Sequence, residues 1–176
     1  MKVAMSGHER IAKPVLADYL AVMSRAVFQA GIRWADIDRK WDLLRKAFDG
    51  FDPSKVARYG QRDIDRIMAT PGILHSERKI RATIANAGVM LALDAEFGGF
   101  KKYLRSHGTY DGAVADIKRR FAYVGDISAY YFLFRAGETV PPFKRWIGTV
   151  EGEHPRIREM VAARSKGRGR AFRTST

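Results

Sequence analysis

The sequence predicts an all-α fold. Apolar residues recur at helical spacing along most of the chain, glycines and prolines interrupt it at helix-length intervals, and no stretch sustains the period-two alternation of a half-buried strand. With 176 residues, 46% of them hydrophobic, the chain can bury a core as one domain.

In chain order, Pro14 opens a first helix and Gly31 closes it, with Val15, Tyr19, Val22, Met23 and Ala26 at helical spacing between them. A second helix runs from Trp34 to about Phe48 with Ile37, Trp41, Leu44 and Phe48 on one face, and Gly50 ends it. Asp52 followed by Pro53 is a cap with a first-turn proline, opening a short helix around Val56. Asp63 to Met68 forms another, stopped by Thr70-Pro71-Gly72. Ser76 caps a long helix reaching about Phe97, and Gly98-Gly99 separates it from a short one between Phe100 and Leu104. After a turn at Tyr110-Asp111-Gly112, a helix leads to Phe121. Val124-Gly125-Asp126 reads as a tight hairpin whose Asp126 caps the apolar helix ending at Gly137. Pro141-Pro142 stops further helix, and Pro155 starts a last one. Beyond Arg164 the chain is rich in Gly, Ser and Arg, so residues 1–163 are read as the helical domain and 164–176 as a basic, flexible tail.

Composition narrows the function classes. There is no cysteine, which excludes disulfides and thiolate metal sites, and His8, His75, His107 and His154 show no metal-ligand spacing. No metal and no cofactor are expected. Met1 to Pro14 carries Lys2, His8, Glu9, Arg10 and Lys13 with no apolar run, so it is not a signal peptide, and no apolar stretch reaches membrane-spanning length. The expected location is cytoplasmic, with no membrane and no obligate protein partner.

The charge balance is more specific. Thirty-two Lys and Arg against nineteen Asp and Glu give +13, which favours a polyanion, nucleic acid before an anionic membrane surface. Part of the excess lies in the tail, at Arg164, Lys166, Arg168, Arg170 and Arg173. Lys101, Lys102, Lys118, Arg119 and Arg120 carry it into the body. Lys79, Arg81, Lys101 and Lys102 suit a solvated face, whereas Lys118, Arg119 and Arg120, just before the hairpin, are better placed for DNA.

Two segments carry a family resemblance. The first reads Gln29-Ala30-Gly31-Ile32-Arg33-Trp34 and continues through Phe51-Asp52-Pro53, Lys55-Val56-Ala57, Asp63-Ile64, Gly72-Ile73-Leu74, Lys79-Ile80 and Asn86-Ala87. The second reads Phe121-Ala122-Tyr123-Val124-Gly125, followed by Tyr130 and Gly137. Their order and spacing resemble the DNA-3-methyladenine glycosylase I family of helix-hairpin-helix glycosylases. The resemblance implies a helical glycosylase fold with a base pocket between helices. It further implies hydrolysis of the N-glycosidic bond of alkylated purines in double-stranded DNA, in base-excision repair, after base flipping. It places Gln29, Trp34 and Tyr130 at the base pocket, and Val124, Gly125 and Asp126 with Lys118, Arg119 and Arg120 at the DNA backbone.

Each residue also has a plainer reading. Trp34 and Tyr130 suit a core, Gln29 a helix terminus, Gly125 a turn and Asp126 a helix cap. The chain also departs from the family pattern. The family's base-contacting glutamate, three residues before the Gln of Gln-Ala-Gly, is Ala26 here, and the cysteine and histidine zinc ligands and the N-terminal aromatic pocket wall are missing. No residue is therefore assigned as catalytic. The alternative is a catalytically silent DNA-binding protein of the same fold that recognises distorted DNA. A third reading is RNA or ribosome association through the tail.

Overall fold

The computed structural model describes residues 10–73 and 75–150. The expected tail from 164 and the helix expected after Pro155 lie outside the described residues. Within them every regular element is a helix. The order is α1 (Leu16–Phe28), α2 (Trp34–Ala47), a 3-10 turn (Asp49–Phe51), α3 (Pro53–Val56), α4 (Gln61–Ala69), α5 (Glu77–Phe97), α6 (Phe100–Arg105), α7 (Tyr110–Arg120), α8 (Asp126–Arg135) and α9 (Phe143–Ile147).

Local chemistry fixes most of the boundaries. Asp52 accepts a hydrogen bond from Ser54 N–H at 2.9 Å and starts α3 with Pro53 at its first position. Ser76 accepts from Lys79 N–H at 3.4 Å and opens α5, which Gly98 closes in the left-handed region at φ 65°. Four details differ from expectation. The first helix starts at Leu16 because Asp18, not Pro14, organises its entry, accepting from Val15 N–H at 2.8 Å. Tyr110-Asp111-Gly112 is the first turn of α7 and not a loop, since Thr109 caps it by accepting from Gly112 N–H at 3.1 Å. Gly125 is the cap residue of α8 and Asp126 its first helical residue. Pro142 precedes a helix rather than ending all helix, because its fixed φ of −53° suits the residue before α9.

The 21-residue α5 lies at the centre, against α1, α3, α4 and α6. Its buried side chains Ile80, Ala87, Met90 and Leu93 join Leu20, Met23 and Phe28 of α1, Phe48 and Phe51 after α2, and Ala129, Phe132 and Leu133 of α8 in one core. A second cluster is almost wholly aromatic. Trp34, Ile127, Tyr130, Tyr131, Phe143 and Trp146 pack where α2, α8 and α9 meet. No helix among the described residues is long and apolar enough to cross a membrane.

Candidate functional site

A cleft of about 1010 Å³ opens beside this aromatic cluster. Three segments wall it: the turn from Gln29 to Arg33, the hairpin from Tyr123 to Ser128, and the stretch from Pro141 to Val150, with Tyr110, Asp111 and Val114 of α7 beneath.

The first wall is held from below. Gln29 is the C-terminal cap residue of α1, and Gly31 then turns the chain at φ 76°. Lys79 on α5 donates from Nζ to the carbonyl oxygens of Ala30 at 2.6 Å and Phe28 at 3.4 Å. The lysine expected on a solvated face is thus a half-buried clamp on the end of α1, where carbonyls without helical partners favour a cation. Gln29 is buried, and its Nε2 has no hydrogen-bond partner. Ala26, one turn earlier, is buried too. Beside it Arg25 turns the other way, pairing with Asp38 and lying over the Trp41 ring at 4.7 Å.

The hairpin is held by one side chain. Asn86 of α5 donates from Nδ2 to the Ala122 carbonyl at 3.1 Å and accepts from Ala122 N–H at 2.7 Å. Val124 buries its side chain in the core. The residue with left-handed backbone here is Tyr123, at φ 60°, and not Gly125, which is extended at φ −103°. The glycine is therefore not required by the turn. A Cβ built on Gly125 meets no atom within 4 Å, so the space above it is open. Tyr123 is 42% exposed at the tip, with the Arg78 guanidinium 5.8 Å from its ring centre. Tyr123 belongs to the second family segment without an expected site role, and nothing in the spacing of Arg78 marks it.

The ring wall differs from expectation. Trp34 and Tyr130 are 6% and 1% exposed and do not line the cleft. Trp34 lies against Tyr131 with centroids 5.2 Å apart. Tyr130 donates its hydroxyl to the Pro141 carbonyl at 2.9 Å and stacks on Trp146 at 3.9 Å, so Trp146 is the member of the aromatic cluster that, with Tyr110 and Tyr123, puts a ring at the cleft. Nothing in the sequence marks Trp146, which follows the proline pair expected to stop helix.

Charge of both signs enters the lining, with Asp111 and Asp126 against Arg33 and Arg145. Burial, then Tyr130, then Asp126 and Asp111 push the Tyr110 hydroxyl well above the usual tyrosine range, so it stays protonated. The basic run before the hairpin is exposed but paired. Lys118 donates to Asp126 at 2.8 Å, and Arg119 and Arg120 both bond Asp116. Among the described residues no group of three or more His, Asp or Glu side chains could hold a metal ion.

A family model described as methyladenine glycosylase matches residues 18–131. The DNA-3-methyladenine glycosylase of Haemophilus influenzae is 27% identical over 130 residues, covering 62% of this chain and 70% of that one. The DNA-3-methyladenine glycosylase 1 of Escherichia coli strain K12 shows the same identity and coverage. In three dimensions, 3-methyladenine DNA glycosylase I of Staphylococcus aureus superposes with a TM-score of 0.63 at 25% identity, over 74% of this chain and 82% of that one. A variant of 3-methyladenine DNA glycosylase I solved in complex with 3-methyladenine gives 0.64 at 25% identity, over 78% and 88%.

Proposed function

Because the chain belongs to the methyladenine glycosylase family, we propose that it flips an alkylated purine out of double-stranded DNA and hydrolyses its N-glycosidic bond, the first step of base-excision repair. The observation that carries this is the cleft itself. It lies between a hairpin that opens a helix N-terminus and a turn that brings Gln29 to its wall, with the Trp146 ring facing in.

The chemistry suits these groups. Extrusion costs the base its stacking, and an aromatic wall returns part of it. Trp146 supplies the ring face, and Tyr130 stacks on it from behind. A 3-methylated adenine in DNA is cationic and is attracted to an electron-rich ring face. When the bond from C1′ to the base nitrogen breaks, the electron pair leaves with the base, which departs neutral. Water adds its oxygen to C1′, and its proton goes to solvent. Such a leaving group needs little general acid assistance, which for a neutral base is typically worth on the order of 10²–10⁴ in rate. No carboxylate need therefore stand at position 26.

On the DNA side, backbone N–H groups at the start of α8 suit a phosphate, and the open space above Gly125 lets it approach. Val124 and Asp126 flank this point through their backbones. Lys118, Arg119 and Arg120 hold the strand by exchanging their carboxylate partners for phosphates. The protein works in the cytoplasm, without a metal or cofactor and without a protein partner.

Incubation with methylated DNA and with uracil-containing DNA, followed by chromatography of released bases, tests the reading. Methylpurine release without uracil is expected, and uracil release without methylpurine sinks it. Ala26 favours one second reading, a catalytically silent protein of the same fold that recognises distorted DNA. Binding of damaged duplex with no base released would select it.

A further inference from the structure

We propose that Arg78, held over the exposed ring of Tyr123, binds a phosphate of duplex DNA beside the cleft, whether or not the duplex carries a damaged base. The inference rests on the duplex-binding part of the reading above and adds a contact from α5, outside the cleft.

The hairpin tip carries strain that the fold does not account for. Among the described residues, three that are not glycine have left-handed backbone: Asp49, Phe51 and Tyr123. Phe51 offsets the strain with a fully buried ring, and Asp49 accepts a hydrogen bond from the Tyr59 hydroxyl. Tyr123, at φ 60°, is 42% exposed. Glycine would take the same conformation without strain. What tyrosine adds there is a ring, and the structure places the Arg78 guanidinium over it, 5.8 Å from its centre.

Arg78 is exposed in the first turn of α5. Among the described residues it makes no hydrogen bond and no ion pair. Its neighbour Glu77 is engaged by Arg81, which donates from Nε at 2.8 Å and from Nη2 at 2.6 Å. The basic run before the hairpin is engaged too, Lys118 by Asp126, and Arg119 and Arg120 by Asp116. A phosphate reaching those residues must displace a carboxylate, whereas one reaching Arg78 displaces only counterions. The ring contact uses the face of the guanidinium. The N–H groups at its edge stay available to two oxygens of a phosphate. Tyr123 thus restricts the guanidinium without consuming its donors. Tyr123 and Gly125 border the cleft and Arg78 does not, so Arg78 meets the backbone beside the lesion and reads no base.

The test titrates the full chain into two fluorescent duplexes, one undamaged and one carrying a stable abasic-site analogue, across 50 to 200 mM salt. Arg78→Ala is expected to weaken binding severalfold and equally for both duplexes, and to lower the slope of log affinity against log salt by about 0.9, the value of one phosphate contact. Its melting temperature should hold. Tyr123→Phe should bind like the unmodified chain. Tyr123→Gly should weaken binding, melt no lower, and add nothing in the Arg78→Ala background, since the ring acts through the guanidinium. An unchanged salt slope in Arg78→Ala overturns the proposal, as does a loss confined to the abasic duplex, or no duplex binding by the unmodified chain. So does a Tyr123→Gly chain that loses its thermal transition, or one whose effect persists without Arg78. Base release from methylated DNA separates this from the underlying reading. A lowered slope in Arg78→Ala with no base released by the unmodified chain keeps the contact and removes the glycosylase. Base release with an unchanged slope does the reverse.

Discussion

At the scale of single residues, Trp34 shows why a motif position and a pocket wall are different things. The indole is 6% exposed and lies among Tyr131, Ile127 and the other buried rings. Trp34→Ala is therefore expected to destabilise the fold by about 3–5 kcal/mol, as truncation of a buried aromatic does. Denaturant unfolding checks this, and a loss under about 1 kcal/mol would return the indole to the cleft. Asp116 carries a second prediction. Burial works against its ionised form, but hydrogen bonds from Arg119, Tyr103 and Arg120 outweigh it and hold the carboxyl below its ordinary value. A depressed folded pKa contributes stability that is fully present above the unfolded value, about 3.9, and lost as pH falls through the folded one. Asp116→Asn should flatten the acid limb of the stability profile below about pH 4 and leave its shape near neutrality unchanged. An unaltered acid limb in thermal melts at pH 5, 4 and 3 would show that the cluster contributes nothing.

At the scale of elements, the hairpin between α7 and α8 depends on one residue from a third helix. Asn86→Leu removes both bonds to Ala122 and strands a half-buried donor and acceptor. The expected cost is about 2–4 kcal/mol. The amide resonances of residues 121–125 should shift more than those of α3 and α4, and a uniform response would show that the hairpin holds its own shape. Gly125 predicts the opposite pattern. Its backbone is extended and its Cβ direction is open, so Gly125→Ala should cost the fold no more than about 1 kcal/mol, the usual penalty for alanine at a helix cap. If a phosphate approaches there, duplex binding weakens severalfold while the melting temperature holds. Unchanged binding in a fluorescence titration would remove Gly125 from the DNA surface.

At the scale of the molecule, the charge of +13 sets how DNA is held. Neutralising about four or five phosphates gives an affinity that falls roughly 10²–10³-fold between 50 and 200 mM salt. Titrations at the two concentrations measure it, and a flat response would show that the basic residues stay with their own carboxylates. Lys118 with Asp126, and Arg119 and Arg120 with Asp116, make that competition concrete.

What the sequence determined by itself was local. The helix starts at Asp52-Pro53 and Ser76 and the stop at Gly98 follow from capping groups and backbone freedom within a few residues, so they are legible in a string of letters. The family resemblance was legible for the same reason, because it rests on residue types in register. Of the residues it singles out, Gln29, Gly125 and Asp126 line the cleft. The tertiary structure decided which way side chains face. Tyr130 and Trp146 are sixteen positions apart, and only the packing of α9 on α8 stacks one behind the other and brings Trp146 to the cleft. Lys79 looked solvated because its partners, the carbonyls of Phe28 and Ala30, lie 51 and 49 residues away. Burial and hydrogen bonding between distant segments depend on where the chain comes back to itself, and no local pattern encodes that.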